Sequence, residues 1–200
     1  MNFYRQLGAY HSGHTQSAAP PADQADGSQS NNTRFGFKAT DLIVYPAHGV
    51  GQIVAIEEQT VAGACLEFFV VYFRKSKMTL RVPTSRAAKT GMRRLSDPGT
   101  IQHARRILGQ PPHKARGNWT RIAQEYESKI NSGDIAAIAE VIRDLHRRAA
   151  NPDQSYAERQ LYTTAVDRLS EEVALVSGMT EQEAVKELES VIAPEVRRSA

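Results

Sequence analysis

The chain has 200 residues, with 25 Lys and Arg against 22 Asp and Glu, a formal net charge of +3, one cysteine and one tryptophan. The length allows one or two domains, and the single Cys65 excludes an intramolecular disulfide, a disulfide-stapled secreted scaffold and a four-thiolate zinc site. No apolar run approaches the roughly 20 residues that span a bilayer, and Met1 to Pro20 has no apolar signal core, so a cytoplasmic protein with no membrane association is expected.

Residues 1–36 are rich in Ala, Pro, Gly, Ser, Gln and Asn, and Ser17 to Asn32 contains no aromatic or branched aliphatic residue. Such a segment cannot bury enough apolar area to offset chain entropy, so residues 1–36 are expected to be a disordered arm.

Residues 37–95 read as β. Leu42 to Tyr45 is a short apolar run, Pro46 and Gly49 punctuate it, and Gln52 to Ile56 resumes it. Ala62-Gly63 is a turn signal, Leu66 to Phe73 is β-branched and aromatic, and Met78 to Val82 alternates until Pro83. Short strands broken by Gly and Pro, too closely spaced for parallel crossovers, predict a small, strongly bent sheet or barrel.

Residues 97–193 read as α. Asp97-Pro98 offers an N-cap followed by proline at the first helical position, for a helix to Leu108. Gly109 to Gly117 is a linker, Asn118 caps a helix from Trp119 to about Ile130, and Asn131-Ser132-Gly133 ends it. Asp134 caps the next, with Ile135, Ile138, Ile142 and Leu145 on one face. Ser155 with Glu158 and Thr180 with Glu183 form capping boxes; the first opens a helix with Leu161, Ala165, Leu169 and Val173 on one stripe, and the second opens a last helix to Ile192, before Pro194. The fold class is therefore α+β, a small β-barrel followed by an all-α bundle of about five helices.

The charge is uneven along the chain. Arg74 to Lys129 holds fourteen Lys and Arg against Asp97, Glu125 and Glu127, a balance of +11, whereas Asn151 to Ala200 holds ten acids against five bases, a balance of −5. A basic middle with an acidic tail is the asymmetry expected where one part meets a polyanion, although a solvated face gives the same pattern.

Enzyme motifs are largely missing. There is no phosphate loop and no nucleophile elbow, and Gly49-Val50-Gly51 lacks both the third glycine and the following helix of a dinucleotide site. No catalytic residue, metal site or cofactor is expected. His48 reads as a turn residue, His146 as a partly buried or surface residue, and Cys65 as an inert thiol. Trp119 stands out. It opens a helix right after a Pro-, Gly- and base-rich stretch, with Lys114, Arg116 and Arg121 close in sequence. Its indole can pack back onto the bundle, hiding about 150–250 Å². Alternatively it can stay exposed and wedge against a base step while the cations and the helix N-terminus hold phosphates.

Phe37 with Asp41-Leu42-Ile43-Val44-Tyr45-Pro46-Ala47-His48-Gly49-Val50-Gly51-Gln52-Ile53 resembles the opening of the CarD/CdnL family of bacterial transcription regulators. Met78 to Pro83 resembles the closing strand of the same domain, Asn118-Trp119-Thr120-Arg121 the family's tryptophan motif, and Ser155 to Val176 its long fourth helix. The resemblance covers about Phe37 to Ile192. It implies a Tudor-like β domain over 37–95 that binds the β subunit of RNA polymerase, and a helical domain over 97–193 that touches promoter DNA. It further implies that Trp119 wedges into the minor groove at the upstream edge of the transcription bubble and stabilises the open complex. Arg121 would be its phosphate-side neighbour; Arg116 and Lys114 join the expected DNA-binding set by their closeness to Trp119 in the sequence. Arg81, Thr60 and Val61 match polymerase-contacting positions. Gln59 stands where some members place a basic polymerase contact, Gln124 where some place a basic DNA contact, and Thr40 replaces a usual glycine. A monomeric, nucleoid-associated regulator with little sequence specificity is the expectation. A stand-alone architectural DNA-binding protein is the alternative, and an enzyme with an unrecognised site the third class.

Overall fold

A computed structural model describes residues 33–113, 118–149 and 155–198. Residues 1–32 of the expected arm, Lys114 and Arg116 lie outside the described residues. The described chain begins with a turn in which Arg34 and Phe37 bridge, and Phe37 is buried beyond it.

The apolar run Leu42–Tyr45 is β1, Gly49–Val61 is β2, Ala64–Phe73 is β3, Met78–Pro83 is β4 and Arg93–Arg94 is β5. They form one antiparallel sheet in the order β4-β3-β2-β1-β5. β2 and β3 meet at Ala62-Gly63, with φ of 51° and 81°, the mirror-type turn that suits strand twist. A bulge between Ile53 and Ala55 leaves Val54 out of register and exposed. The bulge bends β2, so Ile53 before it and Ile56 after it face the same core.

The expected barrel is not closed. Among the described residues β4 and β5 are the two edges and no pairing joins them. β5 is only two residues long and reaches only Ile43 and Val44 of β1. The concave face is filled by side chains instead. Phe37 packs edge-on to Phe69 at 5.9 Å, and Ala87 and Met92 complete a core with Ile43, Ile53, Val71, Phe73 and Val82. The β2–β3 hairpin runs on past its neighbours, because β1 pairs no further than Gln52 and β4 no further than Phe68.

Among the described residues five helices follow: α1 (Pro98–Leu108), α2 (Trp119–Asn131), α3 (Ile135–Ala149), α4 (Tyr156–Ser177) and α5 (Glu181–Arg198). Their starts follow the cap chemistry. Asp97 accepts from the Thr100 N–H at 3.0 Å and Asn118 from the Thr120 N–H at 2.9 Å. Ser155 with Glu158 and Thr180 with Glu183 make reciprocal boxes. The stripe predicted on α3 is buried, as are Ala165, Leu169 and Val173 of the α4 stripe, while Leu161 is half-buried. α5 differs from expectation, since its backbone stays helical through Pro194 to Arg198. A proline inside a helix removes one donor and bends the axis, but neighbouring turns can carry the helix across it.

The sheet and helices lie within one compact unit, Asn31–Ala200. Among the described residues no helix is long and apolar enough to cross a membrane.

Candidate functional site

Two groups of predicted site residues sit in different halves of the molecule. On α2, the buried face is Ile122, Tyr126 and Ile130. Trp119 continues that stripe one turn earlier, at the first helical residue, and is therefore half-buried against the helical core while still at the helix end. The packing expected of the indole on the bundle is present along one side. Thr120, Arg121 and Gln124 are exposed on the other faces. The linker before the helix is tied down at its start, where the His113 N–H donates to Asp144 at 2.8 Å and Asp144 also pairs with Arg143 at 2.8 Å.

The second group lies on the projecting β2–β3 arm. Thr60 pairs with Cys65 and Gln59 with Leu66 near the tip. Thr60 and Cys65 are exposed, as are the apolar Val61 and Leu66, at 46% and 39%. Arg81, on the edge strand β4, is joined to Glu57 at 3.3 Å near the base of the arm. The fold thus gathers Gln59, Thr60 and Val61 on one arm, with Arg81 one strand away, and places Trp119 and Arg121 elsewhere.

The charge asymmetry folds partly onto itself. Three bases of the positive block pair with acids of the negative tail: Lys75 with Glu181 at 2.8 Å, Arg93 with Glu172 at 2.7 Å and Arg105 with Glu187 at 2.8 Å. Arg94 faces Asp41, and Lys129 faces Glu125 and Glu140. Among the described residues, Arg74, Lys77, Arg86, Lys89, Arg106 and Arg121 make no ion pair. The cationic surface is smaller than the sequence balance suggests.

His48 occupies the turn between β1 and β2, as expected, stacked near Tyr45 and Phe73 at 5.6 and 5.4 Å. Burial, then the Arg168 charge, hold its imidazole below the usual range. His146 meets the Tyr162 hydroxyl at 2.9 Å. Among the described residues no three His, Cys, Asp or Glu come together in a way that could hold a metal ion. A cleft of about 330 Å³ opens between the sheet and α4–α5, lined by Leu42, Val50, Tyr72, Leu175, Met179 and Glu171.

Glu171 is 8% exposed and accepts a long hydrogen bond, 3.5 Å, from the Val50 N–H. Burial pushes its carboxyl above the ordinary carboxylate range, against the opposing pull of Lys75, the Val50 N–H and Arg168, while Glu181 adds to the rise. Below the ordinary carboxylate range both folded and unfolded forms are protonated, so Glu171 contributes nothing. As the pH rises the unfolded chain ionises first, and the fold loses stability until Glu171 itself ionises. Glu171→Gln, which cannot ionise, is therefore expected to melt above wild type at neutral pH. The difference should vanish toward about pH 4. Thermal denaturation across that range checks it, and a difference that grows on acidification would contradict the sign.

Comparison with known proteins covers both halves. The family model for the CarD-like/TRCF RID domain matches residues 37–96, and that for the CarD C-terminal domain matches residues 103–189. A Bacillus subtilis (strain 168) protein named "Putative transcription factor YdeB" is 30% identical over 147 residues, which are 74% of this chain and 96% of that protein. The chain belongs to the CarD/CdnL family. It is a transcription regulator by that membership.

Within this CarD-family chain, sequence reasoning missed one set of residues. Arg93, Glu172, Arg168 and Glu171 join the sheet to α4. One signal was present: Glu172 lies seven residues after Ala165 and three after Leu169, where the buried stripe of α4 calls for an apolar side chain. A carboxylate there requires a buried cationic partner.

Proposed function

We propose that this chain is a non-enzymatic transcription regulator. It docks on the β subunit of RNA polymerase through the β2–β3 arm and Arg81, and stabilises the open promoter complex with Trp119. The bent sheet over 37–95 serves as the Tudor-like polymerase-interaction module, and the helices over 97–193 serve as the DNA-binding module, acting as a monomer with largely sequence-independent contacts. The observation that carries this reading is the position of Trp119. It ends a core stripe at the first residue of α2, half-buried, with Arg121 exposed two residues on. Packing of the indole on the core fixes the ring at the helix end, from where it would stack on an opened base step. Lys114 and Arg116 belong to the same DNA-side group in this reading.

The ion pairs favour a polymerase-tethered regulator over the stand-alone DNA binder. Lys75, Arg93 and Arg105 are neutralised internally, and each cation withdrawn from the phosphate backbone weakens autonomous DNA binding. Tethering by the β domain raises local concentration at the promoter without any new DNA contact.

Co-purification with RNA polymerase, at salt that abolishes binding to free duplex, tests the reading. Arg81→Glu is expected to weaken capture by roughly tenfold. The exposed Arg81–Glu57 pair contributes little to folding, so the loss would report the interface. Unaltered capture removes Arg81 from it, and absence of capture of the wild-type chain sinks the polymerase reading.

A further inference from the structure

One side chain reaches from the sheet to both α4 and the end of the tryptophan helix. Arg93 of β5 sends a two-pronged contact to Glu172 of α4, Nη1 to Oε1 at 2.7 Å and Nη2 to Oε2 at 2.8 Å. The same guanidinium donates from Nε and Nη2 to the Gly133 carbonyl at 3.0 and 2.6 Å. Glu172 is 3% exposed and accepts in addition from the Ser96 N–H at 2.8 Å. Arg93 therefore engages the sheet, α4 and the α2–α3 turn at once. Only a planar fork with several fixed donors can do this; a lysine is a single point charge.

The position of Gly133 gives the contact its leverage. It lies at the C-terminal end of α2, whose first residue is Trp119. A helix rises 1.5 Å per residue, so the two are separated by about 20 Å. A tilt of about 10° at Gly133 would displace Trp119 by roughly 3–4 Å, about one base step. Nearby contacts reinforce the joint: Arg168 donates to the Ala47 carbonyl, and Val50 donates to Glu171.

We propose that Arg93 is a positioning residue, whose fork on Glu172 and Gly133 holds the Trp119 helix at a fixed distance from the polymerase-facing sheet and so sets how well Trp119 reaches the open bubble. The proposal rests on the function proposed above.

The test uses the full chain with Cys65→Ser and spin labels at Thr79→Cys on β4 and Gln124→Cys on α2, both exposed positions. Label-to-label distance distributions are measured for wild-type Arg93, for Arg93→Lys and for the shape-preserving Glu172→Gln, the second guarding against a variant that does not fold. Polymerase capture and open-complex lifetime are measured on the same variants without labels. The expected result is a broadened distribution, a lifetime shortened roughly tenfold and polymerase capture equal to wild type, in whichever variant retains the wild-type circular dichroism. A distribution as narrow as wild type removes the positioning role, as does broadening with an unchanged lifetime. If the parent chain itself leaves open-complex lifetime untouched, the polymerase reading fails, and the distance distribution still reports separately whether Arg93 holds the helix.

Discussion

Replacing Trp119 with alanine is expected to shorten the lifetime of open promoter complexes roughly ten- to a hundredfold while leaving capture by RNA polymerase unchanged. The range follows from base–aromatic stacking worth about 1–3 kcal/mol, at about 1.4 kcal/mol per tenfold. Two physical terms contribute, because the indole is packed on the helical core along one side. Truncation removes that packing and also any contact to the bubble. Melting curves measured in parallel report the first, and promoter-complex lifetimes at a temperature where both proteins are folded report the second. Arg121→Gln separates them further, since Arg121 is exposed and its loss leaves the core intact. It should lower the salt slope of DNA association by about 0.9 for each phosphate no longer neutralised. Lifetimes unchanged in Trp119→Ala would remove the wedge and leave Trp119 as a helix-end packing residue.

Locally determined features of the chain were legible in its sequence. Asp97, Asn118, Ser155 and Thr180 cap their helices because the capping bond needs only residues two or three positions away. The apolar stripes of α3 and α4 were legible for the same reason. Features decided by distant partners were not. β5 consists of two arginines with no alternation, and it becomes a strand only because Ile43 and Val44 of β1 offer open backbone groups. The polar stretch Glu57 to Thr60 extends β2 because Cys65 to Phe68 of β3 pair with it. Barrel closure depends on whether two edges meet, which no local pattern encodes. The linear charge map was legible only in part: a block of +11 and a tail of −5 fit either a part that meets a polyanion or a solvated face, and Arg93, Lys75 and Arg105 direct their charge at Glu172, Glu181 and Glu187. The candidate site divides along the same line. Trp119 was visible as the lone tryptophan at a capped helix start, whereas Arg93 was hidden until Glu172 and Gly133 were brought together.

The second large effect is expected at the paired glycines of the β1–β2 turn and strand. Gly51 is buried, and a Cβ there would sit 2.6 Å from Val71 Cγ1 and 2.9 Å from Phe73 Cε1. Val71 and Phe73 are themselves fully enclosed in the sheet core, so neither can move aside without displacing others. Gly51→Ala is therefore expected to destabilise the chain by about 1–3 kcal/mol, lowering Tm at about 2–4 °C per kcal/mol. Gly49 fails for a different reason. Its φ is +83°, in the left-handed region that costs a side chain about 1–2 kcal/mol, and a Cβ would run into Arg168. The two mechanisms separate in combination. Arg168→Ala should recover part of the loss in Gly49→Ala, because the colliding side chain is gone, but none of the loss in Gly51→Ala, whose obstruction lies in the sheet. Double-mutant cycles from denaturant titrations read the difference. Equal recovery at both positions would show that the two losses do not arise from separate contacts, and no recovery at Gly49 would leave its left-handed φ as the reason for glycine there. Recovery confined to Gly49 would place the turn where the geometry puts it, as the surface on which α4 seats the sheet, with Gly51 serving the sheet's own packing.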